Sequence, residues 1–236
     1  MGWNANFDQV DRAEGTQPGE REVTMTELRW LMTVTGGLFV VAFGLGLGLL
    51  GPEIGAFGDS DQAFVEHFSA GSRRAADIAG SFLLMAAAAA FMYFAHLIAS
   101  IKTSDLNHSA TSGMVRTTAM LSGIFMIVAA LALVTVPLSI SMGEFFDEDG
   151  TVFQQGRAVL PQFGYVALVF GAMIPAALTI VAAARLGLFP AWLTRASLPV
   201  AVLLGLTSGS VITMALLPIW VALATVMLAR LAPPDQ

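Results

Sequence analysis

Long apolar runs, parted by short polar stretches, set the pattern of this chain. Four of them cover residues 29–50, 75–101, 116–138 and 162–185, and a fifth runs almost without interruption from residue 190 to residue 231. A run of about 18 or more apolar residues reads as a membrane-spanning helix. The first run closes on Gly51-Pro52 and the fourth on Arg185. No ionisable residue falls at the middle of a run: Asp77, Arg116 and Arg185 all sit at the ends.

The last run is too long for one span. From Ser197 to Leu231 an unbroken helix would measure about 50 Å, against a hydrocarbon core of about 30 Å. Ordinary tilt does not absorb that excess. The stretch LLGLTSGSVITM, Leu203–Met214, carries the Gly and Ser residues of a tight turn. Pro190 suits the first turn of a helix. The run therefore divides into helices at 190–206 and 210–231. The expected fold is an all-α, polytopic transmembrane bundle of six helices, a domain over residues 28–232. A polar tail precedes it at residues 1–27 and a short one follows at 233–236.

Charge supports the division. With six helices and both termini cytoplasmic, eight of the eleven Lys and Arg residues fall on the inner side. Arg73, Arg74 and Arg157 fall outside. A five-helix arrangement moves Arg230 outward and weakens the bias that cytoplasmic loops carry. Trp30 and Trp192 then lie at the inner interface, where Trp is enriched. Within the first outer loop, Phe64, Val65 and Phe68 share one helical face, which reads as a short amphipathic helix at the surface, ended by Gly71.

Composition changes the picture only by exclusion. Hydrophobic residues make up 56% and charged residues 12%, where a soluble domain carries about 25% charged residues. Mean hydropathy is +0.74. There is no cysteine, which removes thiol chemistry and Cys-ligated metals. The net charge of −6 comes without a basic stripe, so nucleic acid is not an expected partner. The N-terminus lacks the apolar core of a secretory signal. Asp147-Glu148-Asp149-Gly150 lacks the twelve-residue calcium loop and reads as a solvated turn.

Candidate chemistry is sparse. Gly205-Leu206-Thr207-Ser208-Gly209 has one residue more than the Gly-x-Ser-Gly of rhomboid-type intramembrane proteases. No histidine follows His108, and Lys102 is the one lysine, so Ser208 has no base to activate it. No catalytic residue, metal ligand or cofactor site is assigned. His67 and His96 belong near opposite membrane faces and cannot share a haem iron. Tyr93 and His96, three residues apart on one helix face, are candidate cavity-lining residues. Pro175 and Pro218 fall inside helices and are candidate kinks or hinges. Gly44, Gly48, Ala76 and Gly80 are candidate small-residue contacts between the first two helices. Arg73 and Asp77, four residues apart, are expected to form a local ion pair.

From about Arg29 to Leu231 the layout resembles a group of six-helix bacterial membrane proteins, common in actinobacteria, that share a domain of unknown function. The resemblance rests on the Gly-rich end of the first helix, on AFVEHFSAGSRRAADIAG leading into a small-residue helix, and on GLFPAWLTRAS after the fourth helix. It implies fold and location in a bacterial inner membrane, and no chemistry. The function expected from these readings is non-catalytic: an accessory or interaction subunit, or a protein that binds an apolar ligand. Transport of a small molecule, gated at Pro175 and Pro218, is the competing class, and an intramembrane enzyme is third. The lipid bilayer is the expected partner, with a second copy or another membrane protein as candidates. In this cysteine-free chain, single cysteines at Ser69, Ser104, Gly150 and Ser208 should react with an impermeant thiol reagent from outside, inside, outside and outside. Labelling of the Ser208 position from the cytoplasmic side alone would contradict six crossings.

Overall fold

A computed structural model describes residues 25–51, 67–68, 70–101, 108–142, 151–207 and 210–230. The polar tail, most of the loop after Gly51, the acidic turn at 147–150, Ser208 and Gly209 and the C-terminal tail lie outside the described residues. The fold is all-helical, with no strand among the described residues and six helices as the apolar pattern implies. They are α1 (Met25–Leu50), α2 (Gly71–Ser100), α3 (His108–Met142), α4 (residues 151–184), α5 (Ala191–Leu206) and α6 (residues 211–230, interrupted at Ala215). All but α5 are long and apolar enough to cross a membrane, and α5 is a shorter apolar helix of 16 residues. α2 and α3 begin earlier than their apolar runs, by four and eight residues, because Gly71–Arg74 and His108–Gly113 are polar or small-residue leads into apolar rods.

The break between α5 and α6 falls where the bilayer argument requires it. Thr207 donates its N–H to Leu203 O at 2.9 Å, and Ser210 donates to Thr207 O at 3.1 Å. The Thr213 hydroxyl donates to Ser210 O at 2.8 Å and also reaches Thr207 O. Ten residues from either end of this turn, Trp220 Nε1 donates to Ser197 Oγ at 2.9 Å. That equal spacing is the register of an antiparallel helical hairpin. Ser197 passes its own proton to Leu193 O at 2.8 Å, so this buried polar pair is fully used. Phe189 stacks edge-on to Trp220 at 5.7 Å.

Each helix packs on its neighbours in sequence, and α6 returns to α1 and closes the ring. The centre is filled by large side chains with almost no exposed surface, among them Phe39, Phe43, Phe91, Phe94, Met126 and Met173. Phe39 meets Phe43 at 5.3 Å and Phe91 at 5.2 Å between ring centres. Buried hydroxyls are quenched locally: Thr35, Thr179 and Thr225 each donate to a carbonyl one turn back.

Close approach depends on glycine. A Cβ on Gly80 would stand 2.9 Å from Gly46 O, and one on Gly46 would stand 3.1 Å from Gly80 O. The backbones of α1 and α2 touch there. Gly44 and Gly48 are exposed, with nothing within 4 Å of an added Cβ. A residue two positions from Gly46 points about 200° around the helix, so Gly44 and Gly48 face away from α2. Ala76 is half-buried one turn from Gly80.

Between α3 and α4 the contact is antiparallel. Thr118 and Thr179 share a hydroxyl hydrogen bond of 2.8 Å, Ser122 Oγ donates to Ala172 O at 2.9 Å, and Gly171 and Gly164 lie against Phe125 and Ala129. Within α4, Ala167–Ala172 is a π-helical turn: Met173 donates to Leu168 O, five residues back. Pro175 follows directly and is buried.

Gly80→Val should therefore lower stability by roughly 1–3 kcal/mol through overpacking at a backbone contact. Gly44→Ala should lie within about 0.5 kcal/mol of the parent, as an exposed helix position does. Thermal unfolding in one mild detergent measures both.

Candidate functional site

The junction of α1 and α2 carries both the buried charge and an apolar groove. α1 stops at Gly51, whose φ of +73° is a left-handed value that glycine adopts without strain. Its N–H closes the helix on Leu47 O at 3.0 Å. Leu50 O, one of the helix's orphan carbonyls, accepts from Arg73 Nη2 at 3.1 Å. A cation at a helix C-terminus is also favoured by the helix dipole. Gly51 has no side chain, and a Cβ there would stand 2.5 Å from Arg73 Nη2.

Asp77, one turn into α2, is the one ionisable residue among the described residues whose whole surface is buried, at 5% exposure. Its Oδ2 lies 2.9 Å from His67 Nε2. As a carboxylate it only accepts, so the imidazole Nε2 carries the proton and donates it. Arg73 Nε stands 3.4 Å from that same nitrogen and cannot donate to it while the proton is there. It faces Asp77 Oδ1 instead, at 3.8 Å. Arg73–Asp77 is thus an ion pair without a hydrogen bond, at the i,i+4 spacing the sequence offers, and His67 holds the carboxylate more closely.

The cluster fastens the chain before α2. The His67 ring packs edge-on against Phe68 at 4.7 Å. Phe68 is buried against Val136 and Ile140 of α3 and Leu160 of α4. Arg74 Nη1 donates to Phe68 O. Of the apolar face expected in this loop, Phe68 is the described member, and it packs on the protein. The other two, Phe64 and Val65, lie outside the described residues.

Beside this cluster an open pocket of about 310 Å³ lies between α1 and α6, lined by Phe43, Gly44, Leu47, Gly48, Gly51, Ala215 and Pro218. Pro218 accounts for one wall. It has no N–H to give Met214 O, and its ring crowds that turn. The helix is interrupted at Ala215, within one turn of it. Glycine hydrogens form the opposite wall. From Phe43 to Gly51 the groove extends about 12 Å along α1.

The other candidate residues lie apart from this site. Tyr93 and His96 are both exposed, on the outward face of α2 near its far end. Pro175 is buried within α4, just after the π-helical turn, and Gly80 is at the α1 contact. Pro218, Gly44 and Gly48 come together at the groove. His67 and His96 fall at opposite ends of α2. No three His, Asp or Glu residues among the described ones converge in the manner of a metal site. Gly46 and the Trp220–Ser197 bond carry structural weight although neither is among the sequence candidates. A third glycine in Gly44-Leu45-Gly46-Leu47-Gly48, spaced two from each neighbour, was the available signal for the first.

Comparison with protein-family models, with curated proteins and with solved structures finds no match.

Asp77→Leu should cost about 1.5–3 kcal/mol, the worth of a hydrogen bond to a charged group. It should also release the His67–Phe68 segment. Thermal unfolding reads the first effect, and proteolysis within the α1–α2 connection reads the second.

Proposed function

We propose that this chain is a non-catalytic integral membrane protein that holds a lipid acyl chain in the groove between α1 and α6. One observation carries the reading: an apolar groove of about 310 Å³ opens sideways between two membrane-length helices. In a bilayer the material facing such an opening is hydrocarbon. The groove's length, about 12 Å, is close to the depth of one leaflet's hydrocarbon, half of a core about 30 Å thick. Glycines on one side and a proline break on the other keep the space empty of the protein's own side chains.

The location we propose is a bacterial cytoplasmic membrane, with both termini on the cytoplasmic side. The α1–α2 connection and its Asp77 cluster then lie at the outer face. Transport ranks second. Pro218 bends α6 beside the groove, but the described interior is filled by aromatic and Met side chains, and the buried ionisable residue sits at a helix end. Proton relays and ion paths use such groups at mid-membrane.

Native mass spectrometry after extraction in mild detergent should find lipid retained by the parent protein. Gly44→Leu/Gly48→Leu, which fills the groove where space is open, should retain several-fold less. Equal retention by the two proteins would overturn the reading. Saturable uptake of a solute by vesicles containing the protein would favour transport.

A further inference from the structure

We infer that the groove selects an acyl chain bent near its middle, as a cis double bond bends it, over a straight one. This rests on the proposed acyl-chain site and names the kind of chain that site takes.

The seam between α1 and α6 is open at one level and shut at another. Beside Gly44, Gly48, Ala215 and Pro218 the helices leave a space of about 310 Å³. Seven residues back along α1 from Phe43 is Gly36, and seven on along α6 from Pro218 is Thr225. Seven residues are close to two turns, so both stay on the faces that line the groove. There the helices touch, because a Cβ on Gly36 would run into Thr225 Oγ1. Thr225 is buried and donates to Val221 O at 2.8 Å. Phe39 and Val221 lie between these levels on the same faces, and neither has exposed surface. The groove is thus a wedge with its floor at Phe43, and the described residues leave no passage along the seam beneath it.

The length of the wedge fixes how much chain fits. A C–C bond of about 1.5 Å at a near-tetrahedral angle advances an extended chain by about 1.25 Å. From Gly51 to Phe43 the groove runs about 12 Å and takes about ten carbons. One leaflet's hydrocarbon is deeper, about 15 Å. A phospholipid chain that enters beside Gly51 therefore reaches the floor with carbons still to place. Phe43 and the Gly36–Thr225 contact block its axis, so the distal part must step out of the seam. The way out crosses Gly44 onto Val41 and Gly37, which are exposed on one face of α1. A straight chain makes that step only by giving up its extended form. A cis double bond has the bend built in, and a ligand already shaped for its site avoids part of the ordering cost. The selection acts on chain shape and is indifferent to the headgroup.

The test is native mass spectrometry of the full chain in mild detergent, offered equal amounts of two phosphatidylcholines. One carries oleoyl chains and the other elaidoyl chains, the cis and trans isomers of one acid, so the lipids differ in the bend alone. Deuterium in one headgroup separates their masses, and the label is exchanged between the lipids in a repeat. The cis lipid should be retained about fivefold more, the factor that one avoided ordering cost supplies. Phe43→Ala lengthens the groove by the space of a ring and should bring the ratio close to one. Should that variant fail to fold, the ratio on the parent protein still decides. An unchanged ratio in folded Phe43→Ala protein would overturn the inference, since the floor would not be what sets the bend. Equal retention of the isomers or a trans preference, with less of both lipids on Gly44→Leu/Gly48→Leu, would overturn the bent-chain inference and leave the acyl-chain site standing. Retention of neither lipid, or equal retention by the parent and Gly44→Leu/Gly48→Leu, would overturn both.

Discussion

Helices surrounded by hydrocarbon gain nothing by hiding apolar surface from one another, so their association depends on how closely their backbones can approach. Everything at the α1–α2 junction follows from one such approach, Gly46 against Gly80. With backbone touching backbone there, the first turns of α2 run beside the last turn of α1. Arg73 can then reach Leu50 O, and Gly51 can lie under its guanidinium. The same constraint recurs elsewhere with other partners. Gly36 leaves room for Thr225 of α6, and Gly171 for Phe125 of α3. In each case the missing side chain belongs to one helix and the occupant to the next.

A second constraint is that backbone groups in hydrocarbon need partners inside the protein. Pro175 and Pro218, two of the buried prolines inside helices, meet it differently. At Pro175 the disturbance is spread over a π-helical turn, and Ser122 on α3 donates to the Ala172 carbonyl. Proline, wide turn and hydroxyl make a closed arrangement in the core. At Pro218 no side chain of α3 or α4 intervenes. The helix is interrupted at Ala215, and the space left beside it stays open toward α1. One proline is absorbed by packing and the other leaves the groove.

Much of the fold was legible because hydrophobic length is a coarse, robust signal. Comparing the last apolar run with the thickness of a bilayer located the turn after Leu206, and the Thr207–Ser210 hydrogen bonds lie there. The spacing of Arg73 and Asp77 announced their ion pair. The site was less legible, because it depends on which way each residue faces. Gly44 and Gly48 share the spacing of a helix-packing motif, yet the intervening Gly46 makes the contact, since the direction of a helix face is set by its neighbours rather than by its own sequence. Tyr93 and His96 do share a face, and it is the outward one. His67 and Asp77 stand ten residues apart across a helix start, a separation with no periodic signature, so their bond required the fold.

The length of α5 has a consequence for the membrane as well as for the protein. Its 16 residues make a rod of about 24 Å, several ångströms short of an average hydrocarbon core. Embedded in a bilayer, such a rod creates hydrophobic mismatch, relieved by local thinning or by polar residues stretching toward the interface. Its partner in the hairpin is α6, the helix that forms one wall of the groove. Lipids beside this pair would be more compressed than those around α2 or α3, and that stored deformation gives the surrounding bilayer a preferred side of the molecule.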